Sequence, residues 1–413
     1  MIRLVILSAS QLLPREIEFF CLDELSTRFQ LEYWDCSAFL FPSFRVPEKV
    51  IRKDYLRIIP SLLDLRHRLM ELPQDTVIVE DVFANKANYR FHKLLNSYFH
   101  SRIIVYFSTN TISLERSNNI DNLPASISGY KRIVQGIKDF ILRSFTIKRV
   151  VTFLRYYNSP DYVTKVNHIF EVRTHQLSDY TIIACNSSFE WRINHPDYER
   201  YCRINAIDSA PISEHYIVFI DEYYPYLPEV EMGNPNLDIE KTAQMYYTSM
   251  NALFTKIENL YNCPVIIASH PRADYSLNNP YGGRAIIYNR TVELIKFSKA
   301  CIIHNSNCYS YVVLYNKPVA AVINNALRAS DLFTKYITLV NANLHVEVQD
   351  IDSIVSEKTE YFSYIDDSIR KRYIHSYLHD TTVGENSNTD LFTRYYNAYH
   401  SALISRNENK SHS

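Results

Sequence analysis

Glycine is nearly missing from this chain, with six copies in 413 residues, where average usage is about 7%. Neither GxGxxG nor GxxxxGK followed by Ser or Thr occurs. A glycine-rich phosphate loop is therefore excluded, and any bound phosphate must be held by helix N-termini and side chains. The seven cysteines (Cys21, Cys36, Cys185, Cys202, Cys263, Cys301, Cys308) are odd in number and form no CxxC pair. They sit mostly in apolar runs, which points to buried reduced thiols rather than a disulfide framework or a metal cluster. No stretch approaches ~18 uninterrupted apolar residues, so no membrane span is expected. The apolar opening Met1–Leu7 breaks at Ser8, too early for a signal peptide, and reads as a first strand. A formal net charge of −1 lacks the basic excess of a dedicated nucleic-acid binder. Asp221-Glu222 and Asp366-Asp367 lack the one-residue gap of a DxD metal motif, and the aspartates at 350 and 352 lie in a late polar segment. No metal and no cofactor is expected.

What is present fits an ordinary globular protein: 46% hydrophobic and 22% charged residues. At this length two domains are the default, because a single core usually stops growing earlier. Tyrosine is abundant, at 33 copies. Codon bias is one reading of that abundance, and a wide aromatic sugar-binding surface is the other.

The run IRLVILS is a continuous apolar strand of the kind buried on both faces of a parallel sheet. Helical spacing follows through Ile17, Phe20, Cys21 and Leu25, then a strand at Leu31–Asp35 and a helix over 58–72. Val77–Val79 is the next strand and ends in Glu80-Asp81; a helix over 88–99 and the strand Ile103–Phe107 continue the alternation. Strand–helix alternation of this kind predicts a parallel α/β sheet. Residues 117–130 read as a polar loop. The 131–155 stretch carries seven basic residues and one acid (Asp139) among apolar partners, which fits either a solvated helix face or peripheral contact with an anionic inner-membrane surface.

The segment around 203–215 is small, polar and broken by Pro211, as an interdomain linker would be. The expected division is 1–205 for a first Rossmann-like domain, 214–385 for a second, and 386–413 for a returning helix and polar tail. Strands of the second unit read 216–220, 264–269, 285–287, 300–304 and 319–323. Its helices fall near 238–261, 291–298, 308–316 and 365–380, with a last helix at 390–404.

Four polar clusters recur at the ends of these segments: Asp221-Glu222, His270-Pro271-Arg272, Thr291 with Glu293, and Ser306 with Ser310. Falling at the carboxyl ends of parallel strands, they would line the edge where open α/β sheets bind ligands. His270 can donate a hydrogen bond to a phosphate oxygen, aimed by Pro271, and Arg272 can add a charge-assisted contact. Thr291 sits where a helix cap would, and Glu293 can accept from ribose hydroxyls. Ser306 and Ser310 flank the start of a helix that favours an anion. Each alone has an ordinary structural reading, as a cap, dipole partner or turn residue; a second His-Pro pair, His195-Pro196, follows no apolar strand.

The stretches VIIASHPRADY and TVELIKFSKACIIHNSNCYSYVVLYNKPV resemble the nucleotide-binding half of bacterial surface-polysaccharide glycosyltransferases, in particular bacterial sialyltransferases and the Kdo-transferases of capsule and lipopolysaccharide synthesis. About a quarter of the chain carries the resemblance. It implies a GT-B fold, in which two Rossmann-like domains face a central cleft and a C-terminal helix crosses back to the first. It also implies a CMP-sugar donor held by His270, Ser306 and Ser310, an oligosaccharide or lipid-linked glycan acceptor, no metal, and a cytoplasmic location. The sialyltransferase acidic motif has its nearest match in Glu80-Asp81-Val82, where valine replaces glycine. An inverting transfer needs a carboxylate to take the acceptor proton, and repulsion within a carboxylate pair would raise one pKa. Glu80/Asp81 and Asp221/Glu222 are the two candidates for that base. A UDP-sugar or CDP-polyol donor, or a non-catalytic role in glycan assembly, stays open.

Overall fold

The computed structural model describes residues 2–42, 51–82, 88–98, 103–108, 166–172, 184–227, 237–353 and 360–411, together with Thr164, Val230 and Asn234. The 117–130 loop and the basic 131–155 stretch lie outside the described residues.

The first half builds one sheet from β1 (Arg3–Ser8), β2 (Gln30–Asp35), β3 (Leu56–Ile58), β4 (Val77–Asp81), β5 (Ile103–Ser108), β6 (Val166–Glu171) and β7 (Ala184–Arg192). Its strand order is β3-β2-β1-β4-β5-β6-β7, and every pairing is parallel. Between strands lie α1 (Pro14–Phe19), α2 (Leu22–Arg28), α3 (Ser37–Leu40), α4 (Leu62–Glu71) and α5 (Tyr89–Asn96). The apolar run of β1 is buried on both faces, Leu4 and Ile6 against one helical layer and Val5 and Leu7 against the other.

Two helices are shorter than their spacing predicts. The 58–72 helix begins only at Leu62: Ile58 closes β3, Pro60 cannot donate within a helix, and Ser61 caps the start by accepting from Asp64 N at 3.1 Å. The helical run through Leu25 breaks at Cys21, which takes a left-handed φ of 52°.

α6 (Pro196–Asn205) follows β7. Its Tyr198, Tyr201 and Ile204 pack on the core of the second half, while Arg200 reaches Glu18 of α1 in the first. Lys296 caps its end, donating to the carbonyls of Ile204, Asn205 and Ile207.

The second half repeats the plan with β8 (Ile217–Ile220), β9 (Val265–Ala268), β10 (Ile286–Ile287), β11 (Ala300–Ile303), β12 (Val319–Ile323) and β13 (Val348–Asp350). The order is β10-β9-β8-β11-β12-β13, again parallel throughout. Its helices are α7 (Ile239–Tyr261), α8 (Thr291–Phe297), α9 (Tyr309–Leu314), α10 (Asn325–Arg328), α11 (Asp331–Leu344) and α12 (Asp367–Tyr373). α7 shows why such segments fold. Asp238 caps its first turn by accepting from Lys241 N, Tyr246, Met250, Phe254 and Ile257 recur on the buried face, and Asn262 ends it in a left-handed conformation. The expected 365–380 helix divides into α12 and a π-turn at Ile374–Leu378.

The chain ends in α13 (Asn388–Ser411), which returns to the first sheet. Phe392, Tyr395 and Tyr396, at i, i+3 and i+4, enter the core that holds Leu4, Phe29 and Phe170. Two Rossmann-like domains and a crossing C-terminal helix are the GT-B architecture. Both crossings run side by side: Asn194 N donates to Asn388 Oδ1 at 2.8 Å, and Asn388 Nδ2 donates to the Asn194 carbonyl at 2.8 Å.

Candidate functional site

In each sheet the chain first builds outward from one strand, then returns to that strand's other side. The crevice between β8 and β11 is therefore the switch point of the second sheet, and that between β1 and β4 the switch point of the first. Ligands of open α/β sheets bind outside the carboxyl ends of the strands at these points.

Asp221 and Glu222 follow β8 directly, and successive side chains there turn to opposite faces. Asp221 joins the β9 side. It accepts from His270 N at 3.1 Å, Tyr223 N at 2.8 Å, Tyr281 OH at 2.8 Å and Tyr275 OH at 2.9 Å. Burial raises its pKa and these four donors lower it. So fully satisfied a carboxylate has little capacity left for a substrate proton; Asp221 is an anchor. Tyr223 pays part of the geometry with a left-handed φ of 53°, a strained value for an aromatic residue. Its ring lies 6.4 Å from that of His270 and nearly parallel to it, at 11°.

Glu222 joins the β11 side. It is buried and accepts from Asn305 N at 2.8 Å and from the Ser306 amide, while the Asn305 side-chain amide also faces its carboxylate. Burial pushes its pKa up to about 8, against the lowering pull of the Asn305 amide and with a further rise from the charge of Asp221. Asp221 and Glu222 thus tie the ends of β8, β9 and β11 into one rim.

On that rim His270 Nδ1 accepts from Arg272 N at 3.2 Å, which puts the ring proton of the neutral imidazole on Nε2. Pro271 and Arg272 are exposed beside it. Ser306 Oγ accepts from Cys308 N at 3.2 Å, turning the chain into α9. Ser310 is different. It lies fully buried inside α9, within reach of the Tyr373 phenol, and its hydroxyl is closed off from the rim surface.

Thr291 does not cap α8 as expected: Arg290 holds the cap position, and Thr291 is the first helical residue. Glu293 is buried near the same helix start, 3.6 Å from Arg290 Nε. Its Oε2 is buried without a hydrogen-bond partner, an acceptor of the kind a ribose hydroxyl satisfies.

At the first sheet's switch point the acidic pair separates. Glu80 turns inward, accepts from Val82 N at 3.1 Å and lies 3.9 Å from His92 Nδ1. Burial and the neighbouring Asp81 charge hold it well above the usual carboxylate range. Asp81 is only partly buried and accepts from Ser8 Oγ at 3.2 Å. Burial raises it to about 7, the Ser8 bond lowering and the Glu16 charge raising it further. Glu16 in turn lies within electrostatic reach of Arg272, which links this switch point to the His270 rim. Of the four carboxylates proposed from sequence, Asp81 alone combines partial exposure with a raised pKa.

The aspartates at 350 and 352, which do carry DxD spacing, are engaged: Asp350 with Arg328 at 2.7 Å and Asp352 with Ser249 Oγ and Asn325 N. Among the described residues no group of three or more His, Cys, Asp and Glu side chains that could hold a metal ion is found, and no helix is long and apolar enough to cross a membrane. Ser8, Tyr275 and Tyr281 were not legible as site residues, because their roles arise from contacts across 54 to 73 positions; Glu16 was not, because it acts on the distant Asp81 and Arg272.

No family model matches the sequence, and no curated protein matches it. Solved structures of similar arrangement include a UDP-GlcNAc 2-epimerase of Methanocaldococcus jannaschii, 10% identical over 91% of this chain and 99% of that one, with a TM-score of 0.44. The glycosyltransferase SnogD from Streptomyces nogalater is 9% identical over 95% and 98%, with a TM-score of 0.44. A variant of the wall teichoic acid polymerase TagF is 9% identical over 98% and 90%, with a TM-score of 0.48. At such scores the likeness adds nothing to the role of any residue.

Proposed function

We propose that this protein is a glycosyltransferase that moves a sugar from a nucleotide-activated donor to an oligosaccharide or lipid-linked glycan acceptor, in synthesis of a bacterial surface polysaccharide. The observation that carries this reading is the joining of the β8, β9 and β11 ends into one polar rim at the second sheet's switch point. The raised-pKa carboxylate at the first sheet's switch point supports it.

In this reading His270 Nε2–H and Ser306 Oγ hold the donor's phosphate, and Glu293 Oε2 accepts from the ribose. The acceptor hydroxyl attacks the anomeric carbon; the new glycosidic bond forms as the bond from that carbon to phosphate oxygen breaks. The nucleotide leaves with that electron pair, and the hydroxyl proton passes to Asp81. No divalent ion takes part, the leaving charge being met by cationic side chains and amides.

The resemblance of the His-Pro and serine segments favours a CMP-activated sugar of nonulosonic or Kdo type. A UDP-sugar or CDP-polyol is the second reading, favoured by Arg200 and Arg203, whose two guanidinium groups share one carboxylate and would suit a diphosphate. Calorimetry with CMP, UDP and CDP tests both. Saturable binding that is lost in His270→Ala is expected, and the tightest nucleotide names the donor class. A protein that binds none of the three has neither the CMP-sugar donor nor the UDP-sugar or CDP-polyol donor proposed here. Hydrolysis or transfer of the donor by the purified protein distinguishes an enzyme from a non-catalytic assembly protein.

A further inference from the structure

The second His-Pro pair leads to a cation at the rim. His195 caps α6, its Nδ1 accepting from Asp197 N at 3.1 Å with Pro196 at the first helical position. Asp197 is fixed by the Tyr311 hydroxyl at 3.0 Å, and Lys296 closes the opposite end of the helix. α6 therefore runs alongside α8 and α9. Arg200, one turn in, has Tyr311, Glu18, Glu293 and Cys308 as its electrostatic partners. Glu293 and Cys308 belong to the carboxyl rim of the second sheet; Glu18 comes from α1 of the first domain.

The Arg200–Glu18 contact is poor. Nε lies 3.3 Å from Glu18 Oε2, yet Nε is buried and makes no hydrogen bond. Arg203 Nη2 is 3.9 Å from the same oxygen, and the Glu18 side chain is 43% exposed. An ion pair of this exposure and geometry contributes little, whereas a phosphate offers a guanidinium several oxygens in a forked arrangement. Of the neighbouring cations, Lys296 is taken up by three carbonyls, and Arg290 lies 3.6 Å from Glu293. The unsatisfied Arg200 Nε–H and the unsatisfied Glu293 Oε2 are complementary in kind, one asking for an anion and the other for a hydroxyl.

We infer that Arg200 is a binding residue for the phosphate of the donor, and that the Glu18 carboxylate is its intramolecular stand-in, displaced when the phosphate arrives. This rests on the nucleotide-dependent reading above and adds a residue of the interdomain helix to it. Donor binding then opens one contact between the two domains.

Calorimetry on the full chain with CMP, UDP, CDP and inorganic pyrophosphate tests it, comparing wild type with Arg200→Gln, Glu18→Gln and His270→Ala. Arg200→Gln should weaken pyrophosphate and the preferred nucleotide by about tenfold or more, and Glu18→Gln should tighten both several-fold. A folded Arg200→Gln protein that binds both ligands like wild type overturns the inference, as does a Glu18→Gln protein with unchanged or weaker affinity. Should Arg200→Gln not fold, the Glu18→Gln result decides. Nucleotide binding that needs His270 but not Arg200 sinks this inference and leaves the functional reading standing. Pyrophosphate binding that needs Arg200, without nucleotide binding, overturns the functional reading and with it the assignment of this phosphate site to a nucleotide donor. A wild type that binds neither ligand overturns both.

Discussion

The Ser8 hydroxyl donates to Asp81 Oδ2 at 3.2 Å, joining β1 to β4 where the strand order of the first sheet turns back. Burial brings Asp81 to about 7 despite that bond. A general base must be ionised, so kcat/KM should climb with pH through about 7 and level off above it. The Ser8 bond favours the charged form; Ser8→Ala should therefore move the acid limb to higher pH. Asp81→Asn should lower kcat by about 100- to 10,000-fold with nucleotide affinity retained. Initial-rate pH profiles check this, and an acid limb indifferent to both substitutions removes Asp81 from the role.

Glu222 makes a stability prediction of definite sign. Burial lifts its pKa to about 8 when folded, above the ordinary glutamate value of 4.5. The folded state keeps the proton longer, so the contribution is fully present below about pH 4.5 and is lost as pH rises through about 8. Glu222→Gln keeps an accepting oxygen for the Asn305 amide but cannot ionise. Thermal melts should show the wild type losing about 2–4 kcal/mol relative to the variant between pH 5 and 9. Parallel curves for the two proteins would mean that the carboxylate is ionised throughout.

How much of this was legible beforehand depended on the range of the contacts. β1 and β12 announce themselves as short apolar runs because both faces are buried. The ends of β8, β9 and β11 could be aligned from sequence, since an apolar run giving way to Asp221, Ser269-His270 or His304 marks a strand's carboxyl end. Which member of an acidic pair faces outward could not. Glu80 and Asp81 are adjacent, and only the pairing of β4 with β1 and α5 sends one toward His92 and the other toward Ser8. Thr291 looked like a cap by residue type, but the helix starts one residue sooner. Ser310 looked available by position, but α9 turns it toward Tyr373. Arg200 gave no signal, since its partners come from Glu18, Glu293 and Tyr311, all distant in sequence.

The last prediction concerns α13, which holds the first domain from the far end of the chain. The Phe392 ring stacks on Phe170 with centroids 5.1 Å apart, Tyr396 meets Phe29 at 4.9 Å, and Tyr395 meets Trp191 at 4.9 Å. Truncating a buried ring of this size costs the lost transfer free energy plus a cavity, so Tyr395→Ala should destabilise by about 3–5 kcal/mol. Asn388→Ala acts at the crossing itself. It deletes the acceptor of Asn194 N and the donor to the Asn194 carbonyl, leaving a buried amide unsatisfied at about 1–3 kcal/mol. Urea denaturation should give a lower midpoint for each variant with an unchanged slope. Nucleotide affinity of the folded Tyr395→Ala protein should stay at the wild-type value, because the rim lies on the other sheet. A chain ending at residue 387 that melted like the full protein would show instead that the first domain's core is complete without the returning helix.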